Sequence, residues 1–382
     1  MATSRLLSML PKIELHTHFD GALCNNLLFD HLTNPSSLPR PSIPTTTNLP
    51  WKPDSPFPVA ATLNNAKTLN SFNSICTCSS HRSLISMLEC FELFTPIIRG
   101  NLALLEANAL EFVRKQHDNN VIYTEVRYSP HFLATENSDP RPVIDAITRG
   151  FEKGVEQFPD IHIKQILCCL CFRPEWASAV VDMCEEYRNN SPCEVVGIDI
   201  AAGEEHFDEE KFPYLFHPHK MAMKKARQLR IPITLHAGEI STADNVRKAL
   251  AYGAKRIGHG YGVAQTDDVS EFSDIHFETC PTSSFETGGW SSDGSGANGE
   301  AIDWKKHPIG TMVKGGLKIS VNSDDPTVFG TNIAKEYEIA ADEIGLSVEQ
   351  IISSNLDAVD ASFCTDEKLK AELKGRITQF QI

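Results

Sequence analysis

Residues 12–18, which read KIELHTH, decide the fold of this 382-residue chain. They form a short apolar run that ends in two histidines, and three other runs end in polar residues in the same way. Those runs are ITLHAGE at 233–239, RIGHG at 256–260 and LKISVNSDD at 317–325. A β-strand holds the side chains at its end rigidly, so polar groups from several strands can converge on one point. The pattern predicts a metal-centred hydrolytic site at one end of a sheet.

Eight apolar, β-branched runs recur along the chain, separated by helical patterns. They cover residues 12–18, 121–128, 161–170, 195–201, 231–236, 254–259, 275–280 and 317–322. Nearly continuous apolar runs are typical of strands buried on both faces of a parallel sheet. Eight such strands alternating with helices predict an α/β fold of the closed (β/α)8 TIM-barrel type. An open doubly wound dinucleotide fold lacks its signature, because no Gly-x-Gly-x-x-Gly follows the first run. We expect residues 1–382 to form a single barrel domain with extra helices.

A proline-rich segment follows the first run. Residues 35–58 hold eight of the 22 prolines, and proline disrupts regular helix. We therefore predict an irregular excursion over residues 31–83, inserted after strand one. The stretch 84–98 returns to a helical pattern with one apolar stripe at positions i, i+3, i+4 and i+7. The stripe consists of Leu84, Met87, Leu88 and Phe91. Farther along, the glycine- and serine-rich stretch 286–300 predicts a loop after strand seven.

Composition narrows the class of partner. The formal net charge of −15 disfavours nucleic-acid binding, which needs basic surface. No apolar run reaches the roughly 20 residues that span a bilayer, and the N-terminus has no signal-peptide pattern. A chain this long without a signal-peptide pattern is not expected to form a disulfide framework from its eleven cysteines. We expect a monomeric, cytoplasmic protein that acts on a small molecule and binds neither nucleic acid nor membrane.

Two histidines at the end of the first run are candidate metal ligands. His16 and His18 are two residues apart, and positions i and i+2 of a strand point to the same side. A His-x-His pair can equally be two ordinary strand histidines. His236 and Asp324, also at strand ends, favour the metal reading, because three imidazoles and one carboxylate suit zinc or a similar cation. An open position for water would complete a catalytic centre.

Three further residues can supply acid–base chemistry beside such a metal. Glu239 follows His236 by three residues and could protonate a substrate, although it could also cap the next helix. His259 lies between two glycines that allow close approach of a ligand, and its alternative is a structural histidine. Adjacent Asp324 and Asp325 cannot both face inward in a regular strand. One can therefore bind metal while the other reaches substrate.

Five motifs in this order together resemble the classical adenosine deaminases, of the amidohydrolase type. They are ELHTHFDG at 14–21, EVRYSPH at 125–131, HAGE at 236–239, GHG at 258–260 and SDDP at 323–326. The set spans nearly the whole chain, whereas the Pro-Cys-x-x-Cys pattern of the cytidine deaminases does not occur. The resemblance implies a barrel holding one Zn2+ per chain that deaminates adenosine, and 2′-deoxyadenosine, to inosine and ammonia in purine salvage.

The resemblance also implies a role for each motif residue. The zinc ligands would be His16, His18, His236 and Asp324, and the catalytic residues Glu239, His259 and Asp324. The substrate-binding residues would be His18, Asp20, Gly203, Asp325, Leu84, Met87, Leu88 and Phe91. Within these sets, Glu239 would protonate purine N1, Asp325 would contact N7, and Asp20 would contact the ribose 5′-hydroxyl. A backbone amide at Gly203, or at its neighbour Ala202, would contact N3. The helix at 84–98 would act as a lid, with Trp176 over the same mouth.

Two alternative functions stay open. A sister enzyme acting on adenine or N6-methyl-AMP would share most motifs, but Asp20 suits a neutral hydroxyl and would repel a 5′-phosphate. A secreted growth factor related to adenosine deaminase would carry a signal peptide and an extra N-terminal domain, neither of which the sequence indicates. The complete set of ligands, acid and base favours an enzyme.

Overall fold

The computed structural model describes residues 2–34, 36, 40–49, 52–78, 83–290 and 303–380. The strands in these residues are β1 Lys12–His18, β2 Thr47–Leu49, β3 Lys52–Phe57, β4 Val121–Tyr128, β5 His162–Leu170, β6 Val195–Ala201, β7 Thr234–Ala237, β8 Arg256–His259, β9 His276–Thr279 and β10 Lys318–Val321. The helices are α1 Ala2–Met9, α2 Asn25–Thr33, α3 Val59–Leu63, α4 Leu69–Cys76, α5 Leu84–Ile98, α6 Leu102–Asp118, α7 Pro130–Leu133, α8 Arg141–Gln157, α9 Ala177–Tyr187, α10 Pro213–Gln228, α11 Ala243–Tyr252, α12 Pro281–Glu286, α13 Pro308–Lys314, α14 Pro326–Phe329, α15 Ile333–Glu338, α16 Val348–Ala361 and α17 Glu367–Thr378.

Eight parallel strands form the barrel in chain order. β1, β4, β5 and β6 pair as one sheet, and β7, β8, β9 and β10 pair as a second. Backbone hydrogen bonds join the two sheets at both seams. The Ile198 amide donates to Pro232 O at 3.1 Å, and the His18 amide donates to Asp324 O at 2.8 Å. Asp324 in turn donates its amide to His16 O at 3.1 Å. The predicted (β/α)8 barrel is confirmed, and each of the eight predicted runs overlaps one of its strands, with β7 extending one residue beyond its run.

Burial of the strands on both faces explains why apolar runs locate them. Every residue of β1, β4 and β6 is buried, because helices cover the outer face and the opposite strands fill the inner one. The helices contribute one apolar face each. In α8, for example, Val143, Ile147 and Phe151 recur every four residues and are buried. This packing fixes the strand ends on which the site is built.

The excursion at 31–83 is more regular than its prolines suggest, so the prediction of an irregular segment is wrong in part. β2 and β3 form an antiparallel two-stranded sheet, and α3 and α4 follow it. Proline is tolerated at the edge of a sheet, where no ladder hydrogen bond is lost. Thr68 starts α4 with a capping box, accepting from the Ser71 amide while Ser71 Oγ accepts from the Thr68 amide.

The helix predicted at 84–98 is α5, with the same limits. Residues 291–300 of the loop predicted at 286–300 lie outside the described residues. None of the helices in the described part of the chain combines the length and apolar character needed to span a bilayer. All eleven cysteines are free and buried.

Candidate metal centre and active site

The strand ends bring five predicted site residues together at the carboxyl end of the barrel. His16 and His18 end β1, His236 lies in β7, His259 ends β8 and Asp324 follows β10. The ring centroids of His16 and His236 are 4.7 Å apart, and those of His236 and His259 are 5.1 Å apart. Asp324 Oδ1 lies 3.2 Å from His16 Nε2 and 3.5 Å from His18 Nε2. The sequence prediction that these side chains converge therefore agrees with their placement.

Their ligand atoms are spaced as a metal site requires. His16, His236, His259 and Asp324 each offer one ligand atom, and these atoms all lie within 4.8 Å of one another. A second, overlapping group contains His18, Asp324 and Asp325. His18 also joins the first group from the side, since its Nε2 is 3.3 Å from His236 Nε2. Imidazole nitrogens with one carboxylate oxygen form the donor set that zinc prefers.

Carboxylates behind two of the histidines set which ring nitrogen faces the centre. Glu278 Oε2 is 2.9 Å from His16 Nδ1, and Asp199 Oδ2 is 2.9 Å from His236 Nδ1. The hydrogen bond at His16 and the ion-pair contact at His236 both favour the proton on Nδ1, which leaves the Nε2 lone pair free for a metal. His16 Nε2 and Asp324 Oδ1 are both buried and make no hydrogen bond within the described residues. Buried polar atoms without a hydrogen bond are rare, and these two fit a site in which a cation is their partner.

Two buried arginines keep those carboxylates ionised. Arg127 contacts Asp199 Oδ2 at 2.8 Å and Glu278 Oε2 at 2.6 Å, and Arg256 contacts Glu278 Oε1 at 2.6 Å. Burial alone would raise the pKa of Glu278, but the two guanidinium charges outweigh it and hold that pKa well below its usual range. For Asp199, too, His236 and Arg127 outweigh burial and lower the pKa. No quoted motif contains Asp199 or Glu278, although a single charged residue inside an apolar strand is a signal that could have indicated them.

Replacing Asp199 by asparagine is expected to weaken metal binding by about 10- to 100-fold, because the neutral amide no longer holds the His236 ring in one tautomer. Competition with a chromophoric chelator measures the affinity. The matched control is Glu125→Gln, which disturbs the same buried network through Arg256, 2.6 Å from Glu125 Oε2, without touching a candidate ligand. Equal affinities for the two variants would show that Asp199 does not act on the metal.

A pocket shares several of its lining residues with this centre. All the residues predicted to bind substrate line it, except Gly203. The polar members are His18, Asp20 and Asp325, and the apolar members Leu84, Met87, Leu88 and Phe91 come from α5. Glu92, Phe132 and Phe172 also line the pocket. Glu92 lies in α5, Phe132 in α7 and Phe172 in the loop after β5, and no recognisable motif marks these three positions.

The turn after β6 brings Ala202, rather than Gly203, into the pocket wall. Both residues have positive φ, +63° and +114°. Of the two positions left open for the N3 contact, the wall therefore contains Ala202. Trp176 is not part of the wall and stacks on His131, with ring centroids 5.1 Å apart and planes at 10°.

Non-glycine residues with positive φ mark three of the strand ends at the site. Besides Ala202, His259 has φ +65° and Asp324 has φ +59°. For L-residues this left-handed conformation is strained, and surrounding structure must hold it in place. This conformation turns the backbone sharply at the end of each strand and directs the His259 imidazole and the Asp324 carboxylate inward.

Three carboxyl groups in the pocket have pKa values above their usual range. Burial is the main cause for each of them: it raises the pKa of Glu239 to about 8 and that of Asp20 to about 7. Burial and the charge of Asp324 raise the pKa of Asp325 well above its usual value. Glu239 Oε2 lies 3.8 Å from His259 Nε2. Asp20 Oδ1 and Asp325 Oδ1 are buried without a hydrogen-bond partner in the described structure. The pocket can therefore donate protons as well as accept them.

Comparisons with known proteins show which proteins this chain resembles. A family model described as adenosine deaminase matches residues 59–380. The adenosine deaminase of Xenopus tropicalis is 31% identical over 378 residues, covering 94% of this chain and 93% of that protein. Two solved structures share the fold, each at 21% identity. The Arabidopsis N6-mAMP deaminase has a TM-score of 0.73 and covers 98% of this chain and 99% of its own. An amidohydrolase from Burkholderia ambifaria with bound Zn has a TM-score of 0.75 and covers 99% and 93%.

Proposed function

Because this chain belongs to the adenosine deaminase family, we propose that it hydrolyses adenosine, and also 2′-deoxyadenosine, to inosine and ammonia. The observation that carries the proposal is the placement of Glu239, which favours the protonated form, in the same pocket wall as His236, His259 and Asp324. Hydrolytic deamination needs both an acid for the purine ring and a base for the attacking water.

The donor set suits one zinc ion per chain, held by His16, His18, His236 and Asp324. When bound there, zinc supplies a nucleophile at neutral pH by lowering the pKa of its water to about 7. His259 also belongs to the group of spaced ligand atoms, yet the family resemblance gives it a different role. Burial lowers the pKa of His259 well below its usual value, so its ring is neutral and can accept a hydrogen bond from water.

The protein's own groups complete the reaction at purine C6. Glu239 donates its proton to N1, which draws electrons away from C6 and opens it to attack. His259 and Asp324, with His259 Nε2 3.8 Å from Asp324 Oδ2, position the attacking water and take its proton. A protonated Asp325 donates a hydrogen bond to N7, and return of a proton to the amino group lets ammonia leave. The apolar residues of α5 that line the pocket limit the access of water to it.

Asp20 is the residue proposed to select a nucleoside. The Ser129 amide donates to Asp20 Oδ2 at 3.2 Å, while Oδ1 is buried without a partner in the described residues. A ribose 5′-hydroxyl can donate to that free oxygen, whereas a 5′-phosphate adds negative charge beside it. Steady-state assays with adenosine, adenine and N6-methyl-AMP test the proposal, which requires the highest kcat/KM for adenosine.

Replacing Asp20 by alanine is expected to lower kcat/KM for adenosine by about 10- to 100-fold, since a hydrogen bond to a polar buried group is lost. Two substrates serve as internal controls, because 5′-deoxyadenosine lacks the hydroxyl and adenine lacks the ribose. Both should lose much less than adenosine. Asp20→Asn keeps an acceptor of the same size, so its kcat/KM for adenosine should lie between the values of the wild type and of Asp20→Ala. Equal losses for all three substrates would rule out the 5′-hydroxyl contact.

N6-methyl-AMP is retained as a second candidate substrate because of two cations beside the pocket. Arg99 and Arg173 are close enough to the pocket residue Glu92 to counter the rise in its pKa that burial causes. Such cations can attract a phosphate. The substrate comparison above decides between the two candidates.

We also propose that the protein is a cytoplasmic monomer. Eleven free, buried cysteines suit a reducing compartment. Light scattering of the purified protein tests the oligomeric state.

A further inference from the structure

Glu239 sits in a tight turn that a single buried carboxylate holds. The chain reverses after β7 at Gly238, whose φ is +68° and where an added Cβ would stand 2.8 Å from Val246 Cγ2. Glu204, only 7% exposed, accepts hydrogen bonds from three consecutive amides of this turn. Its oxygens lie 2.8 Å from the Gly238 amide, 2.9 Å from the Glu239 amide and 3.3 Å from the Ile240 amide.

Two side chains from the same segment complete the shell around Glu204. Ser241 Oγ donates to Glu204 Oε2 at 2.6 Å, and Asn245 Nδ2 donates to it at 3.0 Å. Five donors thus surround one carboxylate. A carboxylate is the side chain that can satisfy such a set, because both oxygens only accept when it is ionised.

The turn after β6 explains how Glu204 reaches this position. Ala202 and Gly203 both have positive φ, so the chain swings from the pocket wall toward the neighbouring β7 turn within two residues. An unstrained continuation of β6 would carry Glu204 elsewhere. The strain at Ala202 therefore has a second consequence besides shaping the wall.

We propose that Glu204 is a positioning residue that fixes Glu239 in the orientation needed to protonate the purine ring; this inference rests on the proposed function. The three amide contacts fix the backbone on both sides of the acid, and so limit where its carboxyl group can point. Glu204 also adds negative charge nearby. After burial and Asp324, that charge contributes to the raised pKa of Glu239.

The first test replaces Glu204 by glutamine. Glutamine offers one accepting oxygen, and its NH2 group must face either the Glu239 and Ile240 amides or the three donors on the other side. We expect kcat to fall by about 100-fold, the cost of displacing a reacting group by about 1 Å. KM and metal content should stay near those of the wild type. Ser241→Ala is the matched control, because it removes one donor and keeps the three backbone contacts, and it should lower kcat by less than about threefold.

A double-mutant cycle with Glu239→Gln separates positioning from general stability. If Glu204 acts through Glu239, Glu204→Gln should cost less than about threefold in kcat once the acid is already absent. If Glu204 had only a general structural role, the loss of kcat in the double variant would equal the product of the losses in the two single variants. Multiplied losses, or a wild-type kcat for Glu204→Gln, would overturn the proposal.

Two provisions keep the test decisive. If Glu204→Gln does not fold, the variant Ser241→Ala/Asn245→Ala removes two of the five donors and should lower kcat by about tenfold; unchanged kcat would contradict the proposal. The cycle uses whichever of adenosine, adenine and N6-methyl-AMP the wild type deaminates fastest. A wrong adenosine assignment would appear in that substrate comparison, whereas a wrong role for Glu204 would appear in the cycle.

Discussion

Replacing Glu239 by glutamine is expected to lower kcat by about 100- to 10,000-fold, the usual contribution of a positioned general acid. Glutamine has nearly the same shape, and its amide can donate a hydrogen bond to N1 but cannot transfer a proton there. Because Glu239 is outside the group of spaced ligand atoms, the variant should keep its metal. Turnover at saturating adenosine and metal analysis of the same sample measure the two expectations together.

The control for this variant is Glu92→Gln, which makes the same chemical change elsewhere in the wall of the same pocket. Glu92 has no part in the proton transfer, so this variant should retain most of the wild-type kcat. Near-normal turnover by Glu239→Gln would remove Glu239 as the acid. A loss of the same size in both variants would point to the charge of the pocket rather than to a specific donor.

Removing the metal is expected to reduce inosine formation to the background rate and to destabilise the fold. The proposed ligands lie on both sides of the seam between β1 and β10, so a bound ion would link the first and last strands of the barrel. Withdrawing an ion present at 1,000 times its Kd lowers the free energy of unfolding by about 4 kcal/mol. Exhaustive chelation followed by an activity assay and a thermal melt tests both effects.

Adding Zn2+ back should restore activity and Tm, whereas Mg2+ should not, because it prefers oxygen ligands in octahedral geometry. Inosine formation that survives complete chelation would contradict the proposed reaction. A restored activity with an unchanged Tm would place the ion away from the seam.

Strand positions were the most predictable part of the fold. β1, β4 and β6 begin and end where their apolar runs begin and end, because a strand buried on both faces tolerates few polar residues. His16, His236 and Asp324 were predictable for the same reason. Each interrupts or ends such a run, and an unexplained polar group at a strand end signals function.

Contacts between distant segments were not predictable from local patterns. Asp199 and Glu278 act through histidines on other strands, and Glu204 acts through a turn some 35 residues away. The conformation of Ala202 was equally hidden, since alanine rarely adopts positive φ and only the surrounding structure imposes it. In the excursion, the proline content led to the wrong prediction of an irregular segment. Proline excludes helix but is tolerated in an edge strand.

The left-handed backbone at Ala202, His259 and Asp324 has a consequence for how this protein can evolve. Glycine at these positions would relieve the strain at no steric cost, yet at two of them it would also delete the imidazole or carboxylate on which the chemistry depends. At those two positions, thermal stability favours glycine whereas catalysis requires the side chain that is present. A lineage freed from selection for activity would be expected to drift toward glycine at His259 and Asp324, and the residues at these two sites would record whether a descendant still works as an enzyme.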